Sequence, residues 1–126
     1  MSEIRVGRIH NVDYNSGMVE VIYTDRGNTI TSFIPILSMN NEYIMPDIGS
    51  MVLVVHLSNG NTAGIVLGTF FNEINKPVST GKGVYHKEFS NTIGSSYIHF
   101  EDDKLVIYAK DIVLKNDEKE VSINEL

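Results

Sequence analysis

Apolar and polar positions alternate in short runs through residues 1–78, and each run ends at a turn signal. Residues 4–9 read as a first strand. Asn15-Ser16-Gly17 predicts a tight turn, because Asn and Gly tolerate positive φ. Residues 18–24 follow as a second strand, with Val19, Val21 and Tyr23 on one face and Glu20 and Thr24 on the other. Asp25-Arg26-Gly27-Asn28 predicts the next turn. Residues 29–36 form a third strand, whose Pro35 confines its end to an edge or a bend. Residues 37–47 make a longer connection carrying Met39, Tyr43, Ile44 and Met45. Pro46-Asp47-Ile48-Gly49 then turns into a fourth strand over residues 51–57. Ser58-Asn59-Gly60-Asn61 predicts a hairpin, and a fifth strand spans residues 62–70.

Five short strands with one long connection between the third and the fourth predict a small closed barrel of the oligonucleotide/oligosaccharide-binding (OB) type. Gly64 and Gly68 suit a barrel corner, where a side chain would crowd the bend. Closure also removes free sheet edges. Val19, Val21, Met51, Leu53, Val55, Ile65 and Leu67 are the expected core, with the phase along each strand open by one residue.

The pattern changes near Pro77. Residues 79–126 hold no Met and no Pro, and apolar couplets recur at i, i+2: Ile98/Phe100, Leu105/Ile107, Ile112/Leu114 and Val121/Ile123. Each couplet puts two side chains on one face of a short strand. Charged links separate them, such as Glu101-Asp102-Asp103-Lys104 and Lys110-Asp111. A segment this short lacks the volume for a core of its own, and the chain has no cysteine to staple it. Association of identical copies about one axis would cover the greasy faces. The eight couplet residues are therefore the expected core of an obligate homo-oligomer, a three-fold β-prism or β-helix being the simplest closed form. The alternative is a few extra strands packed on the same barrel. The expected organisation is an all-β chain with a barrel over 1–78 and a short stem over 79–126.

Composition narrows the function classes. The chain has 126 residues, 10 Lys+Arg against 16 Asp+Glu, and a net charge of -6. Residues 1–78 carry only Arg5, Arg8, Arg26 and Lys76 against seven acids. That charge argues against a phosphate-backbone binder, which draws affinity from clustered cations. Without cysteine, disulfides, thiolate catalysis and Cys-ligated zinc are excluded. No apolar run approaches the roughly 20 residues that span a bilayer, and residues 1–8 contain no apolar signal core.

Val6-Gly7-Arg8-Ile9, Met18-Val19-Glu20-Val21, Phe33-Ile34-Pro35-Ile36, the run Met45-Pro46-Asp47-Ile48-Gly49-Ser50-Met51-Val52-Leu53-Val54, and Gly64-Ile65-Val66-Leu67-Gly68-Thr69-Phe70 occur in that order. The arrangement resembles the baseplate assembly protein V family, the central spike proteins of contractile phage tails and tail-like particles. Its most specific pieces are the Met-Pro-x-x-Gly turn into an apolar strand and the Gly-x-Val-Leu-Gly that follows. The resemblance covers residues 4–72 and continues from Phe89 to Leu114, similar to the family's stem. It implies a homotrimer with an N-terminal OB-type barrel under a trimeric tail hub, then an intertwined β-helical needle on the tail axis. It also implies a place at the baseplate centre of a virion or tail-like particle, assembled in the bacterial cytoplasm, and puncture of the target cell envelope on sheath contraction. Several family spikes end in a His-x-His pair, three copies of which bind iron at the tip. Here His10, His56, His86 and His99 show no such spacing and residues 121–126 hold no imidazole, so that metal site does not carry over. The short stem reads as a blunt spike or as a platform for a separate PAAR-type tip protein.

Reactive chemistry is not expected. Glu101-Asp102-Asp103 could ligate calcium, but successive strand carboxylates point in alternating directions and Lys104 competes; a solvated hairpin turn is the simpler reading. Gly81-Lys82-Gly83 lacks the first glycine and the hydroxyl of a phosphate loop and reads as a flexible joint. His56 has no nucleophile elbow beside it and reads as a histidine on the outer barrel face or at a subunit contact. His99 should point away from Ile98 and Phe100 into solvent. No catalytic, cofactor or metal residue is assigned, and no nucleic-acid partner. A single-stranded nucleic-acid or oligosaccharide binder is the alternative function, because this barrel type serves single strands when a cationic groove and stacking aromatics are present.

Overall fold

The computed structural model describes residues 3–57 and 64–126. Among these the chain is all-β, with helix confined to two short 3-10 turns. It forms two compact units, Met1–Lys76 and Pro77–Leu126.

The first unit contains β1 (Glu3–Asp13), β2 (Met18–Tyr23), β3 (Thr29–Ile30), β4 (Ile34–Pro35), β5 (Met51–His56) and β6 (Ile65–Thr69). β1 pairs antiparallel with β2 and β5, β5 with β6, and β2 with both β3 and β4. Ile36 and Val66 form a parallel bridge, and the Leu37 N–H donates to the Val66 carbonyl at 2.8 Å. Ile36 directly follows β4, so this bridge links β6 back to the segment paired with β2.

Local chemistry explains the turns. Asp13 accepts from the Asn15 N–H at 3.1 Å and from the Ser16 hydroxyl at 2.9 Å, while Gly17 takes φ 71°. This Asx arrangement reverses β1 into β2. The 3-10 turn Thr24–Arg26 leads through Gly27 and Asn28, both at positive φ, into β3. The third strand, expected as one run, is broken in two. The Thr31 hydroxyl accepts from the Val21 N–H at 3.0 Å, replacing a ladder carbonyl where the strand would have continued. The expected hairpin at Ser58-Asn59-Gly60-Asn61 and the start of the fifth strand at Thr62 lie outside the described residues.

The core is Ile9, Val19, Val21, Tyr23, Ile34, Val52, Val54 and Val66, each at most 2% exposed. Val19 and Val21 stand where the alternation placed them. Met51, Leu53, Val55 and Ile65 do not: they are only half-buried, and Leu67 is exposed. The fourth and fifth strands therefore face one residue out of the expected phase. Residues 51–55 are apolar on both faces, so alternation carries no phase there. Two tertiary features set it. Gly7 pairs with Val52 and faces inward, where a Cβ would lie 2.8 Å from the Tyr23 ring. Between the Leu53–Gly68 and Val54–Val66 pairs the register slips by one, and the bulge leaves Leu67 unpaired, with Gly68 at φ 139°.

The second unit holds a three-stranded antiparallel sheet of β7 (Tyr85–Glu88), β8 (Tyr97–Glu101) and β9 (Lys104–Tyr108). A separate hairpin pairs β10 (Val113–Lys115) with β11 (Glu120–Ser122). Asp102 and Asp103 take φ 51° and 61° in the two-residue loop joining β8 to β9, the positive-φ pair whose twist matches flanking strands. Ile123 falls in the 3-10 turn Ile123–Glu125, started by the Ser122 hydroxyl, which accepts from the Asn124 N–H. Val121 and Ile123 therefore do not form a couplet on one strand. Ile112 precedes β10, and its carbonyl accepts from the Ile123 N–H at 2.8 Å.

Candidate functional site

Register sorts the second unit into two unlike faces. Lys87 pairs with Ile98 and Ile98 with Ile107; Tyr85 pairs with Phe100 and Phe100 with Leu105. Ile98, Phe100, Leu105 and Ile107 thus share one face with Tyr85 and Lys87. Tyr85 and Leu105 are each 58% exposed and Ile107 is 54% exposed. In the hairpin, Leu114 stands opposite Val121 on one face, Leu114 being 64% exposed. No residue of Pro77–Leu126 is buried, although its strands are regularly paired. Such apolar faces mark interaction surfaces in soluble proteins.

The opposite face of the three-stranded sheet is polar and densely bonded. His86 and His99 stand directly across from each other. Their Nδ1 atoms are 2.9 Å apart. The His86 Nε2 lies 2.5 Å from Glu88 Oε2, and the His99 Nε2 lies 3.1 Å from Glu101 Oε1. Glu88 also accepts from the Gly94 N–H at 2.6 Å. That N–H, and then His86, hold the Glu88 carboxyl below its ordinary range. Tyr97 packs on His86 and stacks on Tyr108 with ring centroids 5.1 Å apart. His99 points away from the Ile98/Phe100 face, as alternation predicts, but it is not solvated: its side chain is 19% exposed and bonded at both ring nitrogens. The sequence offered no signal for this pairing, because thirteen positions separate the two rings and only the hairpin register joins them.

In the first unit, His56 is tied inward by a hydrogen bond to the hydroxyl of the core residue Tyr23. Burial pushes the Tyr23 phenol pKa up, against the lowering effect of Arg5. The Arg5 guanidinium covers that ring at 3.7 Å and pairs with Glu3 at 3.2 Å and Asp25 at 3.4 Å. Arg26 pairs with Glu3 at 3.3 Å, and Arg8 donates to the Gly49 carbonyl at 3.1 Å. Each of these arginines thus has a partner within the first unit. Gly81 and Gly83 both take positive φ, and the Val84 N–H donates to the Gly81 carbonyl in a turn. Among the described residues no three His, Asp or Glu side chains converge on a common metal position. Among the described residues no helix is long and apolar enough to cross a membrane. The chain matches no protein-family model, and no curated protein matches it.

Proposed function

We propose that this chain is a structural central-spike protein of a contractile-tail baseplate, working as a homotrimer whose C-terminal unit forms an intertwined stem. One observation carries the reading: the second unit is a regularly paired β structure with no buried residue and an apolar face at Ile98, Phe100, Leu105 and Ile107. Such a unit lacks a core of its own and gains stability when copies cover one another. Leu114 and Val121 extend the apolar surface on the hairpin, and Ile112 and Ile123 are joined backbone to backbone beside it. The resemblance to the baseplate spike family supplies the copy number and the setting. The circular strand path of the first unit, with the third-strand segment parallel to the fifth, supports an OB-type barrel there. In this reading the partners are a trimeric tail hub, a separate tip protein and the target cell envelope. The work is mechanical: inter-chain ladders with few free edges resist opening under axial load.

Native mass measurement tests the proposal directly. The wild-type chain is expected as a trimer, and the double variant Leu105→Asp, Ile107→Asp as a monomer. Both side chains are more than half exposed in one chain, so the charges cost little unless neighbouring copies bury them. A wild-type chain that is monomeric and well ordered at micromolar concentration overturns the reading.

A further inference from the structure

The four-residue chain Glu88, His86, His99, Glu101 has a proton count that its geometry dictates. A carboxylate accepts only, so each Nε2 must carry a hydrogen to bond Glu88 at 2.5 Å and Glu101 at 3.1 Å. With both Nε2 atoms protonated, two neutral rings would aim bare lone pairs at each other across the 2.9 Å between the Nδ1 atoms. One further proton turns that repulsion into an N–H···N hydrogen bond. The complete chain thus holds three ring protons on two imidazoles: one ring cationic, one neutral, with a carboxylate beyond each. Remove the shared proton, and either the lone pairs collide or a ring nitrogen turns its lone pair on a carboxylate. Add a fourth, and two N–H groups on two cations face each other. Both changes break the chain.

We propose that the His86–His99 pair is a proton-operated latch across β7 and β8, closed only while the two rings share a single proton. The pair joins directly opposed residues, so the latch adds to the backbone ladder at its centre. A carboxylate flanks the pair at each end. Glu88 on β7 and Glu101 on β8 each face an Nε2 atom as acceptors, and Glu88 is held ionised by the Gly94 N–H. From β9, Lys104 stands opposite Glu101, Val106 opposite His99, and Tyr108 stacks on Tyr97, which packs on His86. Lys104 is the one lysine or arginine on this face of the three strands and stands opposite Glu101, at the far end of the chain from Glu88. The side chains lie on the face opposite the apolar one. The latch is a property of one chain and does not depend on the oligomeric reading.

The test uses the full chain labelled with nitrogen-15, observing the imidazole nitrogens and backbone hydrogen exchange as pH is varied. In the closed state both Nε2 atoms should carry protons, and the two Nδ1 atoms should show a through-hydrogen-bond coupling. Amide protection of β7 and β8 should pass through a maximum and fall on either side, by roughly tenfold to a hundredfold as a charge-assisted bond is lost. His99→Gln should abolish that maximum. If His99→Gln disturbs the fold, Glu101→Gln serves instead, weakening the His99 end while leaving the pair in place and lowering the maximum. Two rings that titrate independently with no coupling, or a protection maximum unchanged by His99→Gln, overturn the latch. Uptake of one Zn²⁺ per chain at micromolar concentration, displacing the shared proton, also overturns it, since the two Nδ1 atoms would then be metal ligands.

Discussion

Gly7 shows how much one side chain, or its absence, decides. It faces the core of the first unit, and an added Cβ would press on Val21 and the Tyr23 ring. Its φ is not in the left-handed region, so the requirement is space rather than backbone conformation. Gly7→Ala is expected to lower the urea midpoint by the equivalent of about 1–3 kcal/mol, with an unchanged slope, as overpacked cores do. Tyr23 offers a second measurement. Its phenol holds the proton above the ordinary value of 10.0, chiefly because burial disfavours the phenolate. The unfolded chain releases that proton first, so the contribution is intact below pH 10 and lost as pH rises through the folded-state value. Absorbance titration should show one tyrosine ionising later than the exposed ones, and Tyr23→Phe should remove that late step. Glu88 behaves in the opposite sense. Its pKa lies below 4.5 because the Gly94 N–H and His86 favour the carboxylate, so its contribution is present above pH 4.5 and lost as pH falls through the lower folded value. Glu88→Gln should flatten that acid limb of the stability profile.

Hairpins and bulges set which face each strand shows. Asp102 and Asp103 occupy two left-handed positions that favour Asn and Gly. The double change Asp102→Asn, Asp103→Gly should raise the stability of the β8–β9 hairpin by about 1 kcal/mol, read as slower amide exchange in those strands. That Glu101-Asp102-Asp103-Lys104 forms a tight turn was legible in the sequence, because two apolar couplets flank it at matching distance. The facing of β5 and β6 was not legible. Val52, Val54 and Val66 lie inside, while Met51, Leu53 and Val55 lie on the other face, and both sets are equally greasy. Only the bulge at Leu67 and the small inward Gly7 choose between them. The break in the third strand was equally hidden, since it depends on the Thr31 hydroxyl reaching a β2 amide.

The two units differ in how they reach stability. The buried cluster of Ile9, Val19, Val21, Tyr23, Ile34, Val52, Val54 and Val66 lies wholly in the first unit. A fragment of residues 1–76 is therefore expected to fold and unfold cooperatively, as judged by circular dichroism through a thermal melt. Loss of the cooperative transition would mean that residues 77–126 complete its core. The second unit has paired strands and an exposed apolar face without a buried residue, so under the proposed function its stability comes from association of copies.

Residues 98–107 alone determined one apolar face on a hairpin: the polar His99 and Glu101 fix the phase of Ile98 and Phe100, and the two-residue turn carries that phase to Leu105 and Ile107. The turn residues likewise determined where strands end, because few side chains accept positive φ. Tertiary structure decided what alternation cannot encode. It chose the inner face of strands that are apolar on both sides, turned Ile123 out of its strand into a 3-10 turn, and brought His86 against His99. The first and the last depend on register between separate strands, which is set by pairing partners rather than by the residues of either strand alone, while the turn at Ile123 follows from the Ser122 cap.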